Sequence, residues 1–172
     1  TTLFRSCEDV ALVSCPVVLI DRLTQCGWCD AVGFDNYLGG RLAAQYLLEG
    51  GHTRIGIVTG DIAESSAAER RRGFVDAIEQ SGKHFDSSLC VEGDYRFDSG
   101  YRAANQIIDG GATAVFCCND VMALGFRQRM AERGLHVTED MQVIGYDNIL
   151  KRFGLGWRMT TVEQSVTDLA AA

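Results

Sequence analysis

Short apolar runs alternate with segments whose apolar residues recur every three or four positions, the pattern of βαβ units around a parallel sheet. PVVLID (Pro16–Asp21) predicts a buried strand, and AVGFDN (Ala31–Asn36) a short strand ending in a helix cap. Asn36 is a good N-cap residue, and Leu38, Leu42 and Tyr46 then recur on one helical face until Gly50–Gly51 stops the helix. RIGIVTG (Arg54–Gly60) is the next strand. Ser66-x-x-Glu69 fits a capping box that opens a helix with Phe74 and Ile78 inward, ended by Gly82. Leu89–Tyr95 is a strand, followed after Asp98 by a helix expected to bury Tyr101, Ala104 and Ile108 before Gly110–Gly111. Ala114–Asp120 is a strand, with Val121, Leu124 and Met130 on the helix behind it, up to Gly134. Gln142–Asp147 is a strand, Met159–Gln164 a further extended piece, and Ser165 starts a helix. The expected fold is α/β, a parallel sheet with helices on both faces.

In such a sheet, ligands sit beyond the carboxyl ends of the strands. Those ends carry a repeated chemistry: Asp21, then Asp61 with Ser65–Ser66, then Asp94–Tyr95, Asn119–Asp120 and Asp147–Asn148. Asp and Asn also cap helices and start turns, which explains any one of them singly. A set gathered on one edge is different. Carboxylates accept, amides both donate and accept, and together they suit paired sugar hydroxyls or a purine edge. Arg70 adds a forked donor near a helix start, and Tyr95 or Trp28 offers a stacking face. At helical spacing only one of Arg70, Arg71 and Arg72 can face this rim, and Arg70 is the best placed.

Composition narrows the function classes. The 172 residues suffice for one domain with a real core. The net charge of −7 offers no basic patch for nucleic acid, and no apolar run approaches a membrane span. Neither a Walker-type loop nor GxGxxG nor GxSxG occurs. His52, His84 and His136 flank turns with no nucleophile beside them. Seven cysteines, an odd number scattered along the chain, read as free thiols in a reducing compartment. Cys26 and Cys29 have CxxC spacing, but a zinc site needs a second pair, and Cys117–Cys118 are adjacent in a strand and point to opposite faces. A loop packing role is the plainer reading. No metal, cofactor or catalytic set is expected. The start lacks a signal peptide and an initiator Met, so the chain is expected to be an internal piece of a longer, cytoplasmic protein.

The blocks PVVLIDR, DNYLGGRLAAQYLLEGGHTRIGIVTG, SSAAERRRGF, TAVFCCNDVMALG, GLHVTEDMQVIGYDN and TTVEQ resemble, in order and spacing, the effector-binding core of the lactose/galactose-repressor (LacI/GalR) family, from about residue 13 to the end. The resemblance implies a type I periplasmic-binding-protein-like fold, with residues 36–161 a nearly complete second lobe. Residues 1–35 and 162–172 would belong to the first lobe. It implies a small-molecule effector, commonly a sugar, held between the lobes, a homodimer, and operator DNA bound through a headpiece outside this chain. Carried over residue by residue, the ligand set is Asp21, Phe34, Ser66, Arg70, Tyr95, Asn119 and Asp147. All but Phe34 are also strand-end or helix-start residues. The chain departs from the family at Gly156–Thr161, where a proline pair is usual and none stands.

Three functions compete. A sensory domain of a sugar-responsive repressor fits the cysteines and the missing signal peptide. A transporter's sugar-binding protein would share the fold. An enzyme using the Asp rim lacks a credible base, nucleophile or metal set.

Overall fold

The computed structural model describes residues 15–21, 29–149 and 158–171. The chain forms two parallel sheets. The smaller pairs β1 (Val18–Ile20) with β2 (Asp30–Val32). The larger has the order β4-β3-β5-β6-β7. Its strands are β3 (Ile55–Thr59), β4 (Cys90–Glu92), β5 (Ala114–Cys117), β6 (Gln142–Tyr146) and β7 (Thr160–Val162), every neighbouring pair parallel. Parallel neighbours need crossovers. Helices α1 (Asn36–Glu49), α2 (Ser65–Gln80), α3 (Phe97–Asp109) and α4 (Asp120–Glu132) run between the strands, and α5 (Val166–Ala171) follows β7. Strands β3 and β5 are buried along their whole length, as a sheet covered on both faces requires.

The helices pack in two pairs, α1 with α2 and α3 with α4. Strand register shows that the pairs cover opposite faces. Phe116 stands opposite Ile57 in the ladder and stacks on Phe74 of α2, with centroids 5.4 Å apart. Gly56, one residue before Ile57, instead faces Ile107 of α3. Successive strand residues point to opposite sides. On the α2 side Phe85, Phe74, Phe116 and Tyr146 form a continuous aromatic row.

Each helix pair crosses at glycines. A Cβ on Gly40 would strike the Arg70 carbonyl, and one on Gly73 the Tyr37 carbonyl. Gly100 and Gly125 make the same reciprocal contact with Met122 and Phe97. These close approaches correct three expected inner faces. Leu38, Leu42 and Tyr46 are about half exposed, and α1 turns Gly39, Gly40, Ala43, Ala44 and Leu47 inward. In α3, Ala103, Ala104 and Ile107 are buried, while Tyr101 and Ile108 are only partly covered. In α4, Met122, Ala123, Phe126 and Met130 are buried, while Val121 and Leu124 are half-buried. Two expected caps also differ. Asp35, not Asn36, caps α1 by accepting from the Leu38 amide at 2.8 Å. Glu64 precedes α2 without a side-chain cap, so the Ser66–Glu69 box does not form, and Glu69 bonds Arg72 instead. Among the described residues no helix is long and apolar enough to cross a membrane.

Candidate functional site

From β3 the chain moves outward to β4, then returns to the other side of β3 for β5. The strand order therefore reverses between β3 and β5, and a crevice opens beyond their carboxyl ends. A cavity of about 310 Å³ lies there, lined by Ile20, Asp21, Glu64, Ser66, Arg70, Tyr95, Asn119 and Asp147. Six of the seven expected ligand residues thus meet in one cavity. The seventh, Phe34, is not part of its lining; it is half-buried before α1, and its carbonyl accepts from Asn36 Nδ2 at 3.2 Å.

Arg70 is 4% exposed. Its Nε donates to Asn36 Oδ1 at 2.8 Å and its Nη1 to the Cys118 carbonyl at 2.7 Å. Its plane lies 3.8 Å above the Tyr146 ring. The Gln164 amide satisfies both neighbours when its nitrogen donates to Asp147 Oδ1 and its oxygen accepts from Arg70 Nη2, each at 3.2 Å. One guanidinium thereby joins the start of α1, the end of β5 and the segment after β7. Arg71 is exposed and Arg72 lies over Tyr37, so Arg70 alone of the run reaches the cavity.

Asn119 is also committed within the protein. It caps α4 by accepting from the Met122 amide at 2.8 Å, and its Nδ2 donates to the Tyr95 carbonyl at 2.9 Å. That bond holds Tyr95 at φ 63°, where its ring lies against Gly60, too close for any larger residue there. The Tyr95 hydroxyl is buried with no partner in hydrogen-bonding geometry. Burial pushes its pKa up, against the opposing influence of the Ser66 hydroxyl beside it. Asp21 Oδ1 is likewise buried, with no partner among the described residues. Asp21 and Asp147 share the left-handed backbone region, at φ 56° and 95°.

The other polar strand ends serve the fold. Asp61 closes its own turn by accepting from the Ala63 amide, and Asp94 accepts from the Arg96 amide. Asp120 is buried, accepting from Thr161 Oγ1 at 2.6 Å and the Ile149 amide at 2.7 Å. Burial pushes the Cys118 thiol up to about 12, so at neutral pH it is not a thiolate nucleophile. Among the described residues no group of three or more His, Cys, Asp or Glu could hold a metal ion. Cys26 and Trp28 lie outside the described residues.

Glu64 and Gln164 were not among the expected residues. The strand-end rule finds Gln164 once the end of β7 is added to the other five. Glu64 lies in the loop between β3 and α2, just ahead of Ser66, and only its position points to it.

The sequence signature described as a periplasmic binding protein-like domain matches residues 44–172. The chain is 38% identical over 160 residues to the HTH-type transcriptional repressor PurR of Pasteurella multocida, covering 92% of this chain and 48% of that protein. PurR of Vibrio atlanticus is 36% identical over 151 residues, covering 87% and 45%. The chain thus spans about half the length of the curated relatives it matches. Among solved structures, a LacI family regulator of Enterococcus faecium with bound ribose superposes with a TM-score of 0.82 at 30% identity, over 90% of this chain and 58% of that one. The regulator CcpA of Lactococcus lactis gives 0.85 at 25% identity, over 95% and 60%. The chain belongs to the periplasmic binding protein-like domain family, in the form of the LacI/GalR effector-binding domain.

Proposed function

We propose that this chain is the small-molecule sensor of a bacterial transcriptional repressor, that its effector is a sugar, and that it has no catalytic activity. The effector sits in the cavity at the strand-order reversal, with Asp21, Ser66, Arg70, Tyr95, Asn119 and Asp147 around it, and Phe34 contributes from the crossover before α1. Residues 1–35 and 162–172 belong to one lobe and 36–161 to the other. Closure of the two lobes on the effector is the signal. The protein works as a cytoplasmic homodimer and reaches operator DNA through a headpiece outside this chain.

The observation that carries this reading is the convergence of six residues from two sheets on one cavity. The repressor names of the curated relatives and the ribose held by one structural relative support it.

A thermal-shift screen of the native protein against sugars, sugar phosphates and purines tests the reading, because a ligand that binds only the folded state raises stability. A saturating hit is expected to raise Tm. Asp147→Ala is expected to weaken that hit by about 2 kcal/mol, since it leaves a ligand donor unpaired in a closed cleft. Unchanged titrations in the variant reject the site.

A further inference from the structure

We infer that Asn36 and Gln164, which are not part of the cavity lining, are positioning residues: through Arg70 they bolt the two interlobe crossovers to one another, so that neither crossover moves alone. The inference rests on the two-lobe sensor reading above and assigns to it the side chains that set its hinge.

The first argument is placement. The chain passes from the small sheet to α1 through residues 33–35, and leaves β7 for α5 through residues 163–165. In the two-lobe reading these are the segments whose backbone angles change when the lobes rotate. Asn36 stands at the end of the first and Gln164 within the second. Both side chains are buried, so each must keep a hydrogen-bond partner through any motion of its segment.

The second argument is the shared partner. Arg70 belongs to α2, and its Nε donates to Asn36 Oδ1 at 2.8 Å. In the orientation that satisfies both neighbours, the Gln164 oxygen accepts from Arg70 Nη2 at 3.2 Å. Nε and Nη2 share one edge of the planar guanidinium, so their N–H bonds point the same way and hold the two acceptors side by side. Stacking on Tyr146 fixes that plane, and the Tyr146 hydroxyl rests against Gly39 near the start of α1. If either acceptor withdraws, a buried donor is left unpaired and the plane is free to turn away from the other.

The third argument is reach. Asn36 Nδ2 donates to the Phe34 carbonyl at 3.2 Å, which brings the backbone of the first crossover into the bolt. On the other side the Gln164 nitrogen donates to Asp147 Oδ1 at 3.2 Å, and the Asp147 amide donates to the Val162 carbonyl at the end of β7. Asp147 and Arg70 both line the cavity. A ligand atom that shifts Arg70 therefore shifts the fixed point of both crossovers.

The test is hydrogen exchange, read by mass spectrometry on the native protein with no ligand added. Asn36→Leu keeps the size of the side chain and removes both of its bonds. It is expected to raise exchange by about tenfold or more at residues 34–39 and also at residues 163–169, while α3 and α4 keep their protection. Gln164→Met is expected to do the same from the other crossover. The double variant is expected to exchange no faster than the faster single variant, because the bolt is lost only once. Asn36→Asp keeps the acceptor for Arg70 Nε, and it is expected to preserve protection at residues 163–169. An Asn36→Leu effect confined to residues 34–39 overturns the inference, and so do single effects that multiply in the double variant. If Asn36→Leu fails to fold, a Gln164→Met effect confined to residues 163–169 overturns it as well. No ligand is used, so such a result leaves the sensor reading standing, whereas a screen without a hit strikes the sensor reading and not the measured coupling.

Discussion

At the scale of single residues, three positions in the cavity hold backbone angles that side-chain-bearing residues seldom adopt. Asp21, Tyr95 and Asp147 all have positive φ, and each follows closely on the end of a strand. Such residues cost on the order of 1–3 kcal/mol and persist only where neighbours fix them. Here the Asp21 amide donates to the Val32 carbonyl and the Asp147 amide to the Val162 carbonyl, both at 2.8 Å, and Asn119 holds the Tyr95 carbonyl. The strained turns aim the side chains across the edge of the sheet. Arg70 donates to Asn36 and to the Cys118 carbonyl and reaches Asp147 through Gln164, and its planar fork is what these contacts use. Arg70→Lys is expected to destabilise the protein by about 2–3 kcal/mol, because a single ammonium group leaves buried acceptors unsatisfied. It is also expected to weaken effector binding. Urea unfolding beside ligand calorimetry checks both. A variant as stable as the parent would mean that the guanidinium bonds are dispensable.

At the scale of elements, the two helix pairs share one device, glycine against a backbone carbonyl. Gly40→Ala is expected to force α1 and α2 apart and cost roughly 2 kcal/mol or more, as overpacking does in a close-packed interior. Gly82, at φ 78° with nothing near its missing Cβ, makes the contrast: Gly82→Ala is expected to cost only about 1 kcal/mol of backbone strain. Thermal melts of the two variants separate packing from conformation. The same device explains what the amino-acid sequence conceals. The central strands were legible, because β3, β5 and β6 are short, mainly apolar runs that lead into Gly, Asp or Asn. So was the polar rim, because five strand ends run into Asp or Asn. The inner face of α1 was not, and those of α3 and α4 only at Ala104 and Met130. Apolar periodicity rewards Leu38, Leu42 and Tyr46, whereas the face that packs is built from Gly and Ala, whose small size and not their hydropathy lets the backbones meet. Asn36 and Arg70 illustrate a second limit. Residue type suggests a cap or a ligand fork, but the hydrogen bond that ties the two residues together across 34 positions leaves no local signal.

At the scale of the whole molecule, the far edge of the sheet depends on one buried carboxylate. Asp120 begins α4, accepts from Thr161 in β7 and from the Ile149 amide, and lies so close to Gly145 in β6 that a side chain there would strike it. Burial pushes its pKa up from the ordinary 3.8, against the opposing pull of the Thr161 hydroxyl and the Ile149 amide. The folded state therefore holds this proton to higher pH than the unfolded chain does. The stabilising contribution of the protonated carboxyl is complete below about pH 3.8 and is lost as pH rises through the folded value. Asp86 and Asp94 behave in the opposite sense. Hydrogen bonds from Ser88 hold Asp86 low and a hydrogen bond from Ser99 holds Asp94 low, so their contributions are present above pH 3.8 and lost as pH falls. Asp120→Asn removes only the first of these titrations. The stability difference, parent minus variant, is expected to decrease from pH 4 to pH 7, and urea unfolding at both values measures it. A difference that grows toward neutrality would show that the Asp120 carboxylate, once ionised, gains more from Thr161 and the Ile149 amide than it loses by leaving water.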